Sequence, residues 1–97
     1  KKGILESEIF LEDGNKQIHK IYYEDGKVNY VYNLQDRKRE GLSYKYFKNG
    51  KTECEFFYKN GELMRSINYT LRNDMKIEKI YENNKVIKQT FISKKRQ

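Results

Sequence analysis

Residues 44–61 read YKYFKNGKTECEFFYKNG, and they carry one phrase twice, YFKNGK and FYKNGE, eleven residues apart. In each copy an aromatic pair is followed by one residue, then Asn-Gly, then a charged residue. Asn-Gly and Asp-Gly tolerate the positive φ that tight hairpin turns need, and they are the strongest short-range hairpin signal. Gly14, Gly26, Gly50 and Gly61 follow Asp13, Asp25, Asn49 and Asn60 in this way. Asn73 and Asn84 fall on the same rhythm, and Asn is the commonest non-Gly residue at positive φ. LQDRKREG lies midway across the long gap between Gly26 and Gly50.

The turns therefore recur every 11 or 12 residues, and alternate turns lie 23 or 24 apart. Bulky pairs precede them: Phe10-Leu11, Tyr22-Tyr23, Tyr46-Phe47, Phe57-Tyr58, Tyr69-Thr70 and Ile80-Tyr81. One such step holds one strand and one turn, and strands alternate faces with period two. The expected fold is all-β: an elongated, single-layer antiparallel meander of about eight short strands, built from β-hairpin repeats of about 23 residues. The strands are expected near 4–11, 17–23, 28–33, 42–48, 52–58, 63–70, 75–81 and 86–92. Residues 62–72 also fit a helical spacing through Leu63, Ile67 and Leu71, but their place in the hairpin rhythm favours strand. At about 4.8 Å per strand the sheet should extend about 38 Å. The whole chain, 1–97, reads as one domain, with repeats at about 13–35, 36–59 and 60–82, a partial one at 83–92 and a basic tail at 93–97.

In-strand alternation suggests that one face gathers Ile9, Leu11, Val28, Tyr30, Leu42, Tyr44, Tyr46, Cys54, Phe56, Tyr58, Ile67, Tyr69, Ile77 and Tyr81. The other face keeps Phe10, Tyr23, Phe47, Phe57 and Ile80 among Lys and Glu. A single layer leaves two faces and two edges short of cover, which is a physical reason to expect a partner or self-association.

Composition bounds the function. The 97 residues carry 36% charged and 36% hydrophobic side chains, with nine Tyr, five Phe and no Pro. Aromatic and β-branched residues suit a half-buried pleated surface. The wealth of Lys, Asn, Ile and Tyr, with no Ala, fits an adenine-thymine-rich bacterial genome. The net charge is +7, but Lys1, Lys2, Lys94, Lys95 and Arg96 hold most of it. The remaining 16 basic and 14 acidic residues nearly balance, so phosphate neutralisation would fall to the tails. Nucleic-acid stacking on Tyr and Phe, or lipid contact through the tails, are thus secondary readings. Cys54 is the only cysteine, so no intramolecular disulfide forms, and its Glu neighbours do not activate a thiolate.

His19 is the only histidine, and it lies in the polar stretch KQIHK. One His and one distant Cys make neither a zinc site nor a nucleophile–base pair. Glu53 or Glu55 could meet Glu78 across strands, but cross-strand ion pairs with Lys are the expected arrangement. The glycines punctuate hairpins rather than opening a helix, so there is no phosphate loop. No catalytic residue, metal ligand or cofactor is expected. No apolar run approaches the roughly 20 residues of a membrane helix, and no signal peptide is visible. The expected compartment is the cytoplasm. The chain starts at Lys1 rather than Met, so a removed export signal stays open.

With these residues in hand, the pattern resembles the MORN-type repeat (membrane occupation and recognition nexus), and most closely the bacterial arrays of antitoxin-like or immunity-like kind. DRKREGLSYKYFKNGKTECEFFYKNG, residues 36–61, follows the order of that unit, with Gly41, Tyr44, Tyr46, Phe47, Gly50, Phe57, Tyr58 and Gly61 at matching positions. Residues 13–32 resemble a second copy without its second Gly, and NGELMRSINYTLRNDMKIEKIY a more degenerate third. The chain lacks the Trp often found in such units and the dense Gly of lipid-associated arrays. The resemblance implies a non-enzymatic module that binds another protein, with masking of a toxin as one form. Tyr22, Tyr23, Tyr46, Phe47, Phe57 and Tyr58 are the expected contact residues, because aromatic side chains dominate interface hot spots. Arg37, Lys38 and Arg39 would steer an acidic partner. The bland alternative is a structural segment of a larger repeat array.

Overall fold

The computed structural model describes residues 6–72 and 74–93. They form one antiparallel sheet whose strands follow chain order. The elements are β1 (Ser7–Glu12), β2 (Lys16–Tyr22), β3 (Val28–Gln35), β4 (Lys38–Arg39), β5 (Gly41–Tyr46), β6 (Thr52–Lys59), β7 (Glu62–Tyr69), β8 (Met75–Glu82) and β9 (Lys85–Ser93). The two-residue β4 pairs only with β3, and the other eight make the expected meander. No helix among the described residues is long and apolar enough to cross a membrane. The principal extents are 46 × 33 × 20 Å.

Turns at the two margins of the sheet differ. At one margin, Asp36-Arg37, Asn60-Gly61 and Asn83-Asn84 are two-residue connections with φ between 51° and 85° at both positions. That is the mirror-image turn whose twist matches the flanking strands. Gly14 and Asn15 share positive φ in the three-residue connection at the same margin. At the other margin, Gly26 (φ 90°) and Gly50 (φ 92°) each close a longer loop. There the Tyr23 N–H donates to the Lys27 carbonyl and the Phe47 N–H to the Lys51 carbonyl, both at 2.8 Å. Asp25 and Asn49 do not adopt positive φ in these loops. Their side chains instead accept from the N–H two residues on, Lys27 at 3.0 Å and Lys51 at 2.8 Å. The same Asx-Gly text thus makes two turns, because a short Asx side chain can also cap its own loop. Asn73 lies outside the described residues.

Register slips by one residue at Ile21/Tyr22, Lys45/Tyr46, Phe57/Tyr58 and Ile80/Tyr81. Every slip has a Tyr on its turn-side residue. Such bulges bend the strand and raise its twist. The observed registers also overturn part of the expected face assignment. Tyr30 pairs with Lys45 and Phe56 with Ser43, so Tyr30 and Phe56 share a face with β5's odd-numbered residues. Leu42 and Tyr44 therefore point the other way. Across the next hairpin the bulge brings Phe56 opposite Ser66 rather than one residue earlier. Ile67 and Tyr69 consequently leave the face of Phe56. A one-residue slip flips every side chain beyond it.

The first face, as found, carries Ile9, His19, Tyr30, Tyr32, Arg39, Cys54, Phe56, Tyr58 and Ile77. The second carries Phe10, Val31, Leu42, Tyr44, Phe57, Ile67, Tyr69 and Ile80. With no second layer, Ile67 is the one buried apolar side chain among the described residues. Stability must come from many half-buried cross-strand pairs, each worth about 0.2–1 kcal/mol.

Arg37 holds φ 71° without being Gly or Asn, at a cost of about 1–2 kcal/mol for an L-residue in the left-handed region. Arg37→Gly should raise unfolding stability by about 0.5–1 kcal/mol, the relief exceeding glycine's added entropy cost. Urea titration of the two proteins checks this.

Candidate interaction surface

The first face is organised by lateral rows. Ile9 stands opposite His19, His19 opposite Tyr32, Ser43 opposite Phe56 and Phe56 opposite Ser66. Large rings on β3 and β6 thus alternate with small hydroxyls on β5 and β7. The small residues leave room for the rings to lean inward. Ser43 and Ser66 are accordingly buried, at 1% and 3% exposure. Tyr30 meets Phe56 edge-on at 6.3 Å across β5, His19 stacks on Tyr32 at 4.8 Å, and Tyr30 tilts against Tyr32 at 5.3 Å.

Arg39 reaches into this cluster from β4. Its Nη1 donates to Tyr30 Oη at 3.2 Å and to Tyr58 Oη at 3.1 Å. Its guanidinium carbon lies 4.4 Å from the Tyr32 ring centroid, 5.4 Å from that of Tyr58 and 5.8 Å from that of Tyr30. Each cation–ring contact contributes about 0.5–1 kcal/mol when exposed and more as water is excluded. β4 is held in place for this. Leu34 pairs with Arg39, the Arg39 carbonyl accepts from the Gly61 N–H at 2.9 Å, and the Glu40 side chain accepts from the Asn60 N–H at 2.7 Å.

Partial burial works against the Arg39 charge, but the Tyr58 hydrogen bond and the neighbouring phenols more than offset it, so Arg39 is held firmly as a cation. Burial pushes the Tyr30 hydroxyl above its ordinary value. Ion pairs among the described residues join Lys45 to Glu53 at 3.1 Å and Arg65 to Glu78 at 2.6 Å. Glu53 thus makes the expected cross-strand pair with a Lys, Glu78 pairs with an Arg instead, Glu55 accepts from Tyr69, and neither ion pair involves Arg39. The guanidinium is thus oriented by phenols and π faces, with no carboxylate paired to it among the described residues.

The nine residues singled out from the sequence do not form one patch. Arg39 and Tyr58 meet on the first face. Phe57 is 39% exposed on the second, and Tyr22, also there, donates to Glu8 at 2.6 Å. Tyr23 donates to the Tyr46 carbonyl and lies under the Lys48 ammonium at 5.7 Å, at the long-loop margin with Phe47. Tyr46 stacks at 6.3 Å on Tyr44. Arg37 occupies a turn, and Lys38 begins β4 beside it. Tyr30, Tyr32 and His19 were not picked from the sequence. VNYVY does carry alternation, but nothing in it says that Arg39 folds back over it. His19 is half-buried, with Nε2 2.9 Å from Gln17 Oε1. Cys54 is half-buried, and its thiol donates to Asn68 Oδ1 at 2.8 Å. Burial, then Glu53, push that thiol's pKa up.

A scan of protein-family models found no match, and searches of curated proteins and of solved structures found no significant similarity to this chain.

Ser43 Oγ is buried with no hydrogen-bond partner, an arrangement that costs about 1–3 kcal/mol. Ser43→Ala should leave stability unchanged or raise it by about 1 kcal/mol, whereas Ser43→Leu should lower it by about 1–3 kcal/mol through overpacking against the rings. Thermal melts of both variants check the pair. Burial raises the pKa of Tyr30, Tyr46 and Tyr69 above the ordinary 10.0. A raised folded pKa gives stability that is present below the unfolded value and lost as pH climbs through the folded one. Stability should therefore hold to about pH 9.5 and fall above the ordinary tyrosine pKa of about 10. Tyr30→Phe should flatten that alkaline slope in urea titrations across pH.

Proposed function

We propose that this chain is a non-enzymatic protein-interaction module whose first face docks an acidic partner protein around Arg39. The observation that carries the reading is the Arg39 guanidinium held among Tyr30, Tyr32 and Tyr58, with no carboxylate paired to it among the described residues. A partner's Asp or Glu would complete the charge that the phenols only orient. Charge-assisted hydrogen bonds of this kind are about twice as strong as neutral ones. Arg and Tyr are also the residue types that dominate interface hot spots. Pre-oriented rings and a pinned guanidinium lose little entropy on binding.

The resemblance to MORN-type arrays of antitoxin-like kind supports the same class of function, and stoichiometric masking of a toxin in a bacterial cytoplasm is its most specific form. The near-balanced charge of the chain body favours a protein over nucleic acid. Lys38 and Arg37, at the same end of the sheet, would add steering.

Affinity capture from lysate of the source cell, run in parallel with wild type, Arg39→Gln and Arg65→Gln, tests the reading. A near-stoichiometric protein should be retained by wild type and by Arg65→Gln, whose change lies on the second face. It should be lost by roughly tenfold or more with Arg39→Gln, in keeping with the 2–5 kcal/mol cost of truncating a buried interfacial charge. Retention by Arg39→Gln, or recovery of nucleic acid or lipid instead of protein, would sink it. A melt of Arg39→Gln separates lost binding from lost folding.

A further inference from the structure

The sheet ends in two strands, β1 and β9, each paired on one side only among the described residues. Seven of the eleven exposed large apolar side chains among the described residues lie on these two strands. Leu11 is 75% exposed, Phe91 62%, and Ile9 and Ile87 57% each. Long apolar edges are ready templates for a further strand. The question is which strand fits.

The register answers it. His19↔Tyr32, Ser43↔Phe56 and Ser66↔Lys79 are successive copies of one pairing, stepped by 23 or 24 residues on each side. The complementary pairing repeats with the same step, through Ile9↔His19, Phe56↔Ser66 and Lys79↔Gln89. By this repeat, β9 is equivalent to β2, β5 and β7, and β1 is equivalent to β3, β6 and β8. The open side of β9 is thus the side on which β5 receives β6. The open side of β1 is the side on which β8 receives β7. We propose that the chain self-associates head to tail, with β9 of one copy pairing antiparallel to β1 of the next, Gln89 opposite Ile9.

In that register Ile87 meets Leu11, two of the most exposed apolar side chains among the described residues, while Phe91 lies over Ser7 and Ile9 over the stem of Gln89. Charge agrees. β1 carries Glu8 and Glu12 and no basic residue, while β9 carries Lys85 and Lys88 and no acidic one. Lys88 falls opposite Phe10, with Glu8 and Glu12 two residues to either side. Pairing β1 with β1, or β9 with β9, would set like charges together, which destabilises a ladder. The two edges differ, so the contact is heterologous, and it propagates rather than stopping at a dimer unless it closes into a ring. This surface is separate from the Arg39 face, and either can hold without the other.

Sedimentation velocity over a concentration series, with disulfide trapping, tests it. Wild-type weight-average mass should rise with concentration past that of a dimer. Lys85→Glu with Lys88→Glu should weaken association at least tenfold, and mixing that variant with Glu8→Lys/Glu12→Lys should restore it. In a Cys54→Ser background, Ile9→Cys and Gln89→Cys place their Cβ atoms about 5 Å apart across the proposed pair. Under mild oxidation the mixture should crosslink, and neither protein alone should do so. Circular dichroism of each variant confirms that the sheet is kept. A protein monomeric at every concentration, association indifferent to the lysine reversals, or crosslinking of either cysteine variant with itself would overturn the proposal.

Discussion

The sheet has no second layer to pack against, so everything else about the molecule depends on the register between neighbouring strands. Positive-φ residues at the margins set that register, and a one-residue slip next to Tyr22, Tyr46, Tyr58 and Tyr81 adjusts it. In a two-layer protein a mis-registered strand would bury charge and be rejected by the core. Here the core is little more than Ile67 and two serines. Turn chemistry and cross-strand contacts must do what burial does elsewhere.

The alternation of large and small residues follows from the same shortage. Rings on β3 and β6 gain contact only by leaning over their neighbours, and Ser43 and Ser66 make that lean available. The cluster so formed on the first face attracts a cation, because ring faces are electronegative. Arg39 supplies it from the two-residue β4, while Lys45, opposite Tyr30 on the same face, is paired with Glu53. The result is a rigid, charged, amphipathic patch on a thin scaffold. On the second face Arg65 is paired with Glu78, and Tyr69 donates to Glu55 at 3.0 Å.

A repeat that closes its hydrogen bonds only with neighbours leaves its two ends unlike each other and alike to the interior. Such arrays are quasi-one-dimensional, and their ends need capping, extension or charge to stay apart. Among the described residues the two edge strands bear opposite charge, Glu8 and Glu12 on β1 against Lys85 and Lys88 on β9.

Much of this was legible in the residues. Asx-Gly spacing and paired aromatics located eight strands to within a few residues, because turn chemistry and period-two alternation are local properties. Asn84 at positive φ and residues 62–69 as strand follow from the same rhythm. The faces were not legible. Whether Ile67 and Tyr69 lie with Phe56 or against it turns on one inserted residue near Tyr58, and the text of β6 and β7 reads alike either way. Nor could the sequence say that Arg39, rather than Arg37 or Lys38, would meet Tyr30, Tyr32 and Tyr58. That choice belongs to the bend at Glu40-Gly41, where the strand leaves β3 at one register and rejoins it two residues displaced. Local chemistry determined where the chain turns and which stretches extend. Only the tertiary structure decided which side chains meet, because facing depends on the summed length of turns and bulges between strands, and a single residue in that sum reverses the answer.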